Sequence, residues 1–443
     1  MFNACIHSLS KPPSIFFDVL CLARRNTWLL PNLEEIRLLR LEFFHLAVLL
    51  PLFLGPKLKS VSFADYASIR PIDKYIPPVE TITSQVNAVN HLCPSVAHIE
   101  VHVTEPNVAL DAAVRFAYAR PGLEGFVVTS PEPWPNDFLQ YLANLPYLKK
   151  VYLNLGPDTT SDMQLFDQAT LHHPFPSLQS LHIHLPSVMA CTQLIQIMHF
   201  SRLRSLIVDT RETATASQLK ALFTTLEAHC AHTTLLTLNV SFQVPDGGDI
   251  PDDDSTFTIH HLRPLFCFHN MRDFRIATPL LYAINNDGLR EMADAWPLAI
   301  VLAVGQQWGG IVRPTITWAA VAYLLSKCRQ ITGLQLPGLD STVDDVSKVT
   351  SLPSFRPNDR LRGFKPYGCL FGGEDHFAES LFAIAPLVGS IHGSCYDPLE
   401  VTTNIPVESA AFFGRVESLL WELRRTRMRA EFGFLDKYCE CTQ

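Results

Sequence analysis

An α/β solenoid of leucine-rich repeats is the fold class that this 443-residue sequence predicts, and three observations predict it. One short pattern, LxxLxL, stands three times in a row: LPYLKKVYL at Leu145 to Leu153, FPSLQSLHI at Phe175 to Ile183, and FSRLRSLIV at Phe200 to Val208. The anchors Leu148, Leu178 and Leu203 are 30 and then 25 residues apart, which leaves room for one helix and two turns between strands, the period of a leucine-rich repeat. Between strands the apolar spacing changes from two to about 3.6, as an alternation of strand and helix requires. Phe138, Tyr141, Leu142 and Leu145 make one such helix face, Leu219, Leu222, Phe223 and Leu226 a second, and Trp318, Val321, Ala322 and Leu325 a third.

Taken in order, residues 1–29 read as a helical lead-in, with Ile15, Val19 and Leu22 on one face between Ser14 and Leu29. The array itself spans 30–393 in about 11 or 12 irregular repeats. It opens with LPNLEEIRL at Leu30 to Leu38 and continues with GPKLKSVSF at Gly55, CPSVAHIEV at Cys93 and RPGLEGFVV at Arg120. After the three copies above, the match weakens to Leu235, Leu238 and Val240, then Met271, Phe274 and Ile276, then Ile331, Leu334 and Leu336. WPLAIVLAV at Trp296 reads as a copy with one residue lost, and Val388 to Gly393 as a degenerate last one. Leu46 to Gly55 is apolar but, at about ten residues, far short of the roughly 20 that cross a bilayer, and reads as a buried repeat helix. Val244 to Phe257, with its Pro, Gly and five Asp, reads as a solvated loop, and Asp340 to Tyr367 as a partly ordered insertion. Residues 394–443 supply a helix opened by Pro406, with Phe412, Val416, Leu419, Leu420 and Leu423 on its buried side, expected to cap the array's exposed end. A helix behind every strand makes neighbouring strands parallel, with the strands on the concave face and the helices outside.

Composition narrows the function. Apolar residues make up 47% and charged residues 18%, enough to bury a large core. A formal charge of -8 and a pI near 6.1 argue against a nucleic-acid binder, which neutralises phosphates with clustered Lys and Arg. Eleven scattered cysteines, mostly at apolar helix ends, read as reduced thiols. Met1 to Ser10 lack a secretory pattern, so a cytoplasmic or nuclear protein is expected, with no membrane partner.

No motif for chemistry stands out. His182 and His184 share a strand face, and His98, His102, His172 and His173 are further histidines, but no Cys or carboxylate lies at a dependable zinc spacing. Asp249, Asp252, Asp253 and Asp254 lack the alternating ligands of a calcium loop, and Cys439 and Cys441 form a lone CxC. GxSxG, GxxxxGK[ST] and GxGxxG are absent; Gly309 with Gly310 and Gly372 with Gly373 are loop pairs. No cofactor and no catalytic or metal-binding residue is therefore assigned, and an enzyme is a distant third reading. Arg424, Arg425, Arg427 and Arg429 end the last helix, where its dipole favours cations and where an anionic docking patch is the competing reading. What remains is the outward face of the strands. Its candidate protein-binding residues are Arg37, His98, Glu100, His102, Lys150, Tyr152, Asn154, His182, His184, Asp209, Asn239 and Arg275, with Tyr152 and Arg275 the residue types most often found as hot spots.

With the repeats laid out, the sequence resembles the leucine-rich-repeat proteins of mushroom-type fungi that usually begin with an F-box. The resemblance rests on LPNLEEIRL, FPSLQSLHI, the Trp296–Pro297 pair, helices ending in Cys93, Cys230 and Cys328, and the helix GEDHFAESLFAI, and it covers about Leu30 to Gly393. The 29 residues ahead of the first repeat resemble that family's connecting helix and not an F-box. The resemblance implies a non-enzymatic, protein-binding substrate receptor of an SCF-type ubiquitin ligase, held through a Skp-type adaptor where an F-box lies upstream. The alternative is a stand-alone interaction scaffold with no ligase link.

Overall fold

A computed structural model describes residues 2–7, 30–39, 53–64, 79–102, 108–129, 134–155, 174–198, 200–242, 256–305, 314–343, 345–353, 355–370, 372–392 and 407–432, and within them the repeat pattern becomes geometry at the turn ahead of each strand. The anchor residue donates its N–H to the carbonyl three residues back: Leu33 to Leu30 (3.1 Å), Leu58 to Gly55 (3.1 Å), Val96 to Cys93 (3.2 Å), Leu178 to Phe175 (3.2 Å) and Ile331 to Cys328 (3.2 Å). Pro31, Pro56, Pro94, Pro121, Pro176 and Pro297 occupy the second place of such turns, where a ring-fixed φ near -65° is already the turn's own value. The anchors themselves are buried, Leu33, Leu58, Leu123, Leu148, Leu178 and Leu203 among them.

One backbone device then sets the register. Counting the anchor as place one, the carbonyl at place two accepts the N–H groups of places two and three of the next repeat. Lys59, Ala97, Glu124, Lys149, Arg204, Leu236, Arg272, Ile300, Thr332 and Arg362 all do this, at 2.7–3.3 Å. It uses no side chain, so any residue that tolerates the extended conformation fits.

The chain divides into two compact units, Met1–Pro186 with Gln196–Leu203, and Ser187–Ile195 with Arg204–Gln443. The first holds β1 (Phe2–His7), β2 (Leu33–Leu39), β3 (Ser60–Ala64), α1 (Val79–Leu92), β4 (His98–His102), α2 (Val108–Tyr118), β5 (Gly125–Thr129), α3 (Asn136–Ala143), β6 (Lys150–Asn154) and β7 (Ser180–Leu185). Its strands pair in sequence order and always parallel. Behind β5 an aromatic knot of Phe126, Trp134 and Phe138, with ring centroids 5.3–5.4 Å apart, ties strand to helix α3. Helix α4 (Val188–Ile197) has its residues up to Ile195 in the second unit.

The second unit continues with β8 (Ser205–Thr210), α5 (Ala216–His229), β9 (Thr237–Phe242), β10 (Thr256–Thr258), α6 (Ile259–Leu262), β11 (Asp273–Ala277), β12 (Leu281–Ala283), α7 (Asn286–Ala295), β13 (Val301–Val304), α8 (Trp318–Lys327), β14 (Gly333–Leu336), β15 (Leu339–Asp340), α9 (Val346–Thr350), β16 (Gly363–Pro366), β17 (Cys369–Leu370), α10 (Glu374–Ile384), β18 (Ser390–Ile391) and α11 (Val407–Phe432). Its main sheet runs β8, β9, β11, β13, β14, β16, β18, again all parallel. Trp318 lies 4.9 Å from Phe377 and 6.1 Å from Phe364, which joins helices α8 and α10 to strand β16. Helix α11 closes the last edge. Phe412 and Phe413 press on Phe377, and the Glu417 carboxylate accepts the Ile391 N–H at 2.9 Å, satisfying a strand donor at the edge.

Several expectations are corrected. Phe2–His7, inside the expected helical lead-in, is a strand parallel to β2, too short and without an anchor to be read from the repeat template. The insertion expected over Asp340–Tyr367 contains a full repeat: Leu361 and Phe364 are buried and β16 pairs with β14, the signal having been masked by Pro366 at place six. The Trp296 copy has lost nothing. Ala299 holds the anchor slot, donates to Trp296 O at 3.1 Å and is buried, while Leu298 is exposed; the fully buried Trp296 fills the volume a leucine would take. Two further parallel ladders, β10 with β12 and β15 with β17, lie just past the main strands, and Phe257, placed in the acidic loop, is buried in the first of them. Ser14–Leu29, His172, His173, the Asp249–Asp254 cluster, Gly309, Gly310, Cys439 and Cys441 lie outside the described residues, as does Leu46–Gly55 except its last three.

Candidate functional site

Places three and five of each repeat point away from the buried places four and six, so strands in register lay their outward residues in transverse rows. In the first unit one row is Glu35, Ser60, His98, Gly125, Lys150, Ser180, and the next holds Arg37, Ser62, Glu100 and Val127, with Tyr152 opposite His182. The two rows enclose a shallow hollow of about 130 Å³, walled by Glu35, Arg37, His98, Glu100 and Lys150 and floored by Ser60, Ser62 and Gly125. Arg37, His98, Glu100 and Lys150 of the predicted face are thus brought together. Ser60, Ser62 and Gly125 were missed, although they occupy the same template places and their smallness is what makes the hollow.

Charge is arranged around Glu124, at place two. Its carboxylate accepts Lys149 Nζ at 2.7 Å and lies 3.3 Å from His98 Nε2. The hydrogen bond from Lys149 is the main reason the Glu124 carboxyl sits below the usual carboxylate range. Burial holds the His98 imidazole below its ordinary value; Glu124 pulls the other way, while Lys149 and Lys150 add to the lowering. The His98 ring lies over Gly125, where a Cβ would come within 2.3 Å of Nδ1.

Further along this unit the outward places are less open than alternation suggests. Tyr152 is 8% and Asn154 2% exposed, and Tyr152 meets the His182 ring edge-on at 4.6 Å. Residues Gly125–Val128 and Val151–Asn154 are buried on both faces, so Tyr152 and Asn154 pack within the sheet and offer little contact surface. Asn154 pairs in register with the half-buried His184, and His102 with Thr129. In the second unit, Asp209 accepts the Ser241 hydroxyl of the next strand, and Arg275 is exposed and grips Asp273 with two bonds of 2.8 and 3.1 Å. Asn239 stands between them in register, beside Arg275 and Ile207. The rows continue into Ala303 and Gln335, then Lys365.

Nucleophilic or metal chemistry has little to work with among the described residues. Burial pushes the thiols of Cys93, Cys230 and Cys328 up to about 12 and that of Cys267 to about 11, far from a reactive thiolate. No group of three His, Cys, Asp or Glu among the described residues is placed to hold a metal ion, and no described helix is long and apolar enough to cross a membrane.

Parallel strands one per repeat, proline turns ahead of them and helices between them define an α/β leucine-rich-repeat solenoid. No protein-family model matches the sequence, and no curated protein matches it. Solved structures to which this chain is similar include two at low sequence identity. The Rad7 and Elc1 complex of yeast is 14% identical over 80% of this chain and 82% of that one, with a TM-score of 0.49. The leucine-rich repeat-containing protein LegL7 of Legionella pneumophila is 11% identical over 82% of this chain and 91% of that one, with a TM-score of 0.25.

Proposed function

We propose that the chain is a non-enzymatic protein-binding scaffold that holds a folded partner or an extended segment on the open face of its parallel sheet. One observation carries this reading: in the first unit, in-register rows of mixed charge enclose a hollow walled by Arg37, His98, Glu100 and Lys150; in the second unit, Asn239 and Arg275 lie side by side in register, with Asp209 one outward place along on the neighbouring strand. Such a surface recognises by many modest contacts, a small set of which dominates. The finer reading is that the partner is a substrate delivered to an SCF-type ubiquitin ligase in the cytoplasm or nucleus. The resemblance of LPNLEEIRL, FPSLQSLHI and GEDHFAESLFAI to fungal F-box repeat proteins supports it, with a Skp-type adaptor bound through an upstream F-box.

Affinity purification of the chain with mass spectrometry, beside a variant carrying Arg37→Ala, His98→Ala and Lys150→Ala, tests both levels. A partner held by the parent and lost by the triple variant supports the face as the site. Partners that are indifferent to the triple variant refute it. An adaptor and cullin among the captured proteins support the ligase reading, and partners without them leave the scaffold alone.

A further inference from the structure

The hollow in the first unit holds donors that the repeat does not use. Ser62, on its floor, is only 7% exposed, yet its hydroxyl makes no hydrogen bond among the described residues, and neither does that of Ser60. Lys150, exposed at one wall, has no ion-pair partner among them. The carboxylates nearby are engaged: Glu35 holds Arg37, Glu124 takes Lys149 at 2.7 Å, and Glu100 has a partner of its own. A buried hydroxyl without a partner costs stability until an arriving group supplies one, and with Lys150 at the wall that group is an acceptor.

His98 adds a donor that depends on a proton. The Glu124 carboxylate, 3.3 Å from Nε2, favours the tautomer with its proton on that nitrogen, so the next proton enters at Nδ1. Nδ1 lies over Gly125, in the gap that this glycine leaves between His98 and Lys150 of the same row. The groups facing the ring are few. Strand β3 presents only Ser60 and Ser62, β5 with its turn Glu124, and β6 with its turn Lys149 and Lys150; Glu35 and Arg37 stand across the hollow on β2, and Glu100 follows on β4 itself. Burial chiefly keeps the imidazole neutral, the two lysines add to that, and Glu124 opposes it. A carboxylate arriving over Gly125 tips the balance towards the proton.

Size and charge narrow the occupant. At about 130 Å³ the hollow is well below the roughly 300–1,000 Å³ of small-molecule sites and takes the end of one side chain. Its walls set Arg37 and Lys150 against Glu35 and Glu100, so one carboxylate entering with one proton leaves the charge balance unchanged. A phosphate would bring up to two charges against those glutamates, and a cationic side chain would find the carboxylates taken. We propose that the hollow seats an aspartate or glutamate side chain of the partner, its carboxylate between Lys150 and a protonated His98, so that binding takes up one proton. The Ser60 and Ser62 hydroxyls serve oxygens of the same segment. This inference rests on the reading of the sheet face as the binding site.

The test pans a random-peptide display library on the full chain at pH 5.5. Selected peptides, resynthesised without histidine, are then measured by fluorescence polarisation at pH 5.5 and pH 8. They should share an aspartate or glutamate and bind about threefold to tenfold tighter at pH 5.5, because the bound carboxylate favours the ring's charged form, which fills as pH falls. Lys150→Met should weaken binding by about fivefold or more at both pH values, and Ser62→Ala by about threefold. His98→Gln should bind equally at the two pH values, which a merely structural histidine would not bring about. Circular dichroism should match the parent's in all three variants. Peptides that need Lys150 but carry no acidic residue, affinity that is equal at both pH values in the parent, or tighter binding when phosphoserine replaces the acidic residue overturn this inference and leave the face as a binding site. If no selected peptide is lost by the Arg37→Ala, His98→Ala and Lys150→Ala triple variant, the inference and the scaffold reading fall together.

Discussion

Gly125→Ala puts the candidate site's electrostatics to a direct test. The new Cβ would lie 2.3 Å from His98 Nδ1 and 3.2 and 3.3 Å from Cγ and Cε1, so the ring has to retreat by about 1 Å to restore contact distance. That movement opens the 3.3 Å approach of Nε2 to Glu124 while leaving the 2.7 Å Lys149–Glu124 bond intact. The His98 side chain is 40% exposed and can turn towards solvent, so the loss of stability should be about 1 kcal/mol, the low end for overpacking. The informative readout is titration. Burial is the largest influence lowering the His98 pKa, so the displaced ring should titrate closer to 6.5 than in the parent. A histidine with a lowered folded pKa binds its proton first in the unfolded chain. Its contribution to stability is whole above about 6.5 and falls as pH drops through that value towards the folded pKa, and the variant should lose part of this slope. An NMR pH titration of the His98 ring, with urea unfolding at pH 5 and pH 8, measures both. An unchanged His98 midpoint in a folded variant would refute the placement of the ring over Gly125.

Three other outcomes follow from particular contacts. Arg120 is buried, donates to Asn90 Oδ1, to Asn90 O at 3.3 Å and to Cys93 O at 3.0 Å, and lies 3.9 Å over the Phe116 ring, so Arg120→Met should cost about 3 kcal/mol in urea unfolding. A loss under about 1 kcal/mol would contradict its role in closing the end of α1. Asp345 caps α8 from the next repeat, accepting the Ala319 N–H at 2.9 Å and the Thr317 hydroxyl at 2.5 Å; Asp345→Ala should cost about 1–2 kcal/mol and Asp345→Asn less, by thermal melting. Cys93, Cys230 and Cys328 should resist iodoacetamide in the native chain and react once it is unfolded. Their folded thiol values lie above the unfolded 9.0, so stability should hold below about pH 9 and decline as pH rises past it, which unfolding midpoints measured across that range will show.

The anchors and their prolines were legible because turn and strand need particular residue types. Leu-Pro-x-Leu and the buried fourth and sixth places are demanded by a fixed φ and by core volume, so they recur in the letters. Where volume was supplied from elsewhere the letters misled: Ala299 anchors a repeat because Trp296 fills its space, and Leu361 anchors another that ends in Pro366. The carbonyl at place two that fixes the register in ten repeats was invisible, since it is backbone alone. At the site, alternation told which side a residue faces but not how deeply it sits. Tyr152 and Asn154, expected as contact residues, are buried, because depth depends on cross-strand neighbours such as His182 that alternation cannot weigh.

That division between what the backbone fixes and what side chains decide also bears on the binding face. Register is held by place-two carbonyls, turns by prolines, and the core by places one, four and six, which leaves exposed side chains at places three and five, such as Arg37 and Lys150, outside the buried core. A charge at Arg37, Glu100 or Lys150 therefore costs the fold little to keep or to lose, and such positions are where a repeat array can acquire a partner without losing its structure. The rows make the acquisition cooperative in a measurable way. Neighbouring strands lie about 4.8 Å apart, so adjacent residues of one row touch the same part of a ligand and their substitutions should couple. Residues four strands apart, such as Glu35 and Lys150, are separated by about 19 Å, beyond the distance at which substitutions usually remain coupled. Coupled losses along a row, and additive ones between its ends, are the pattern that a ligand lying across the strands must leave.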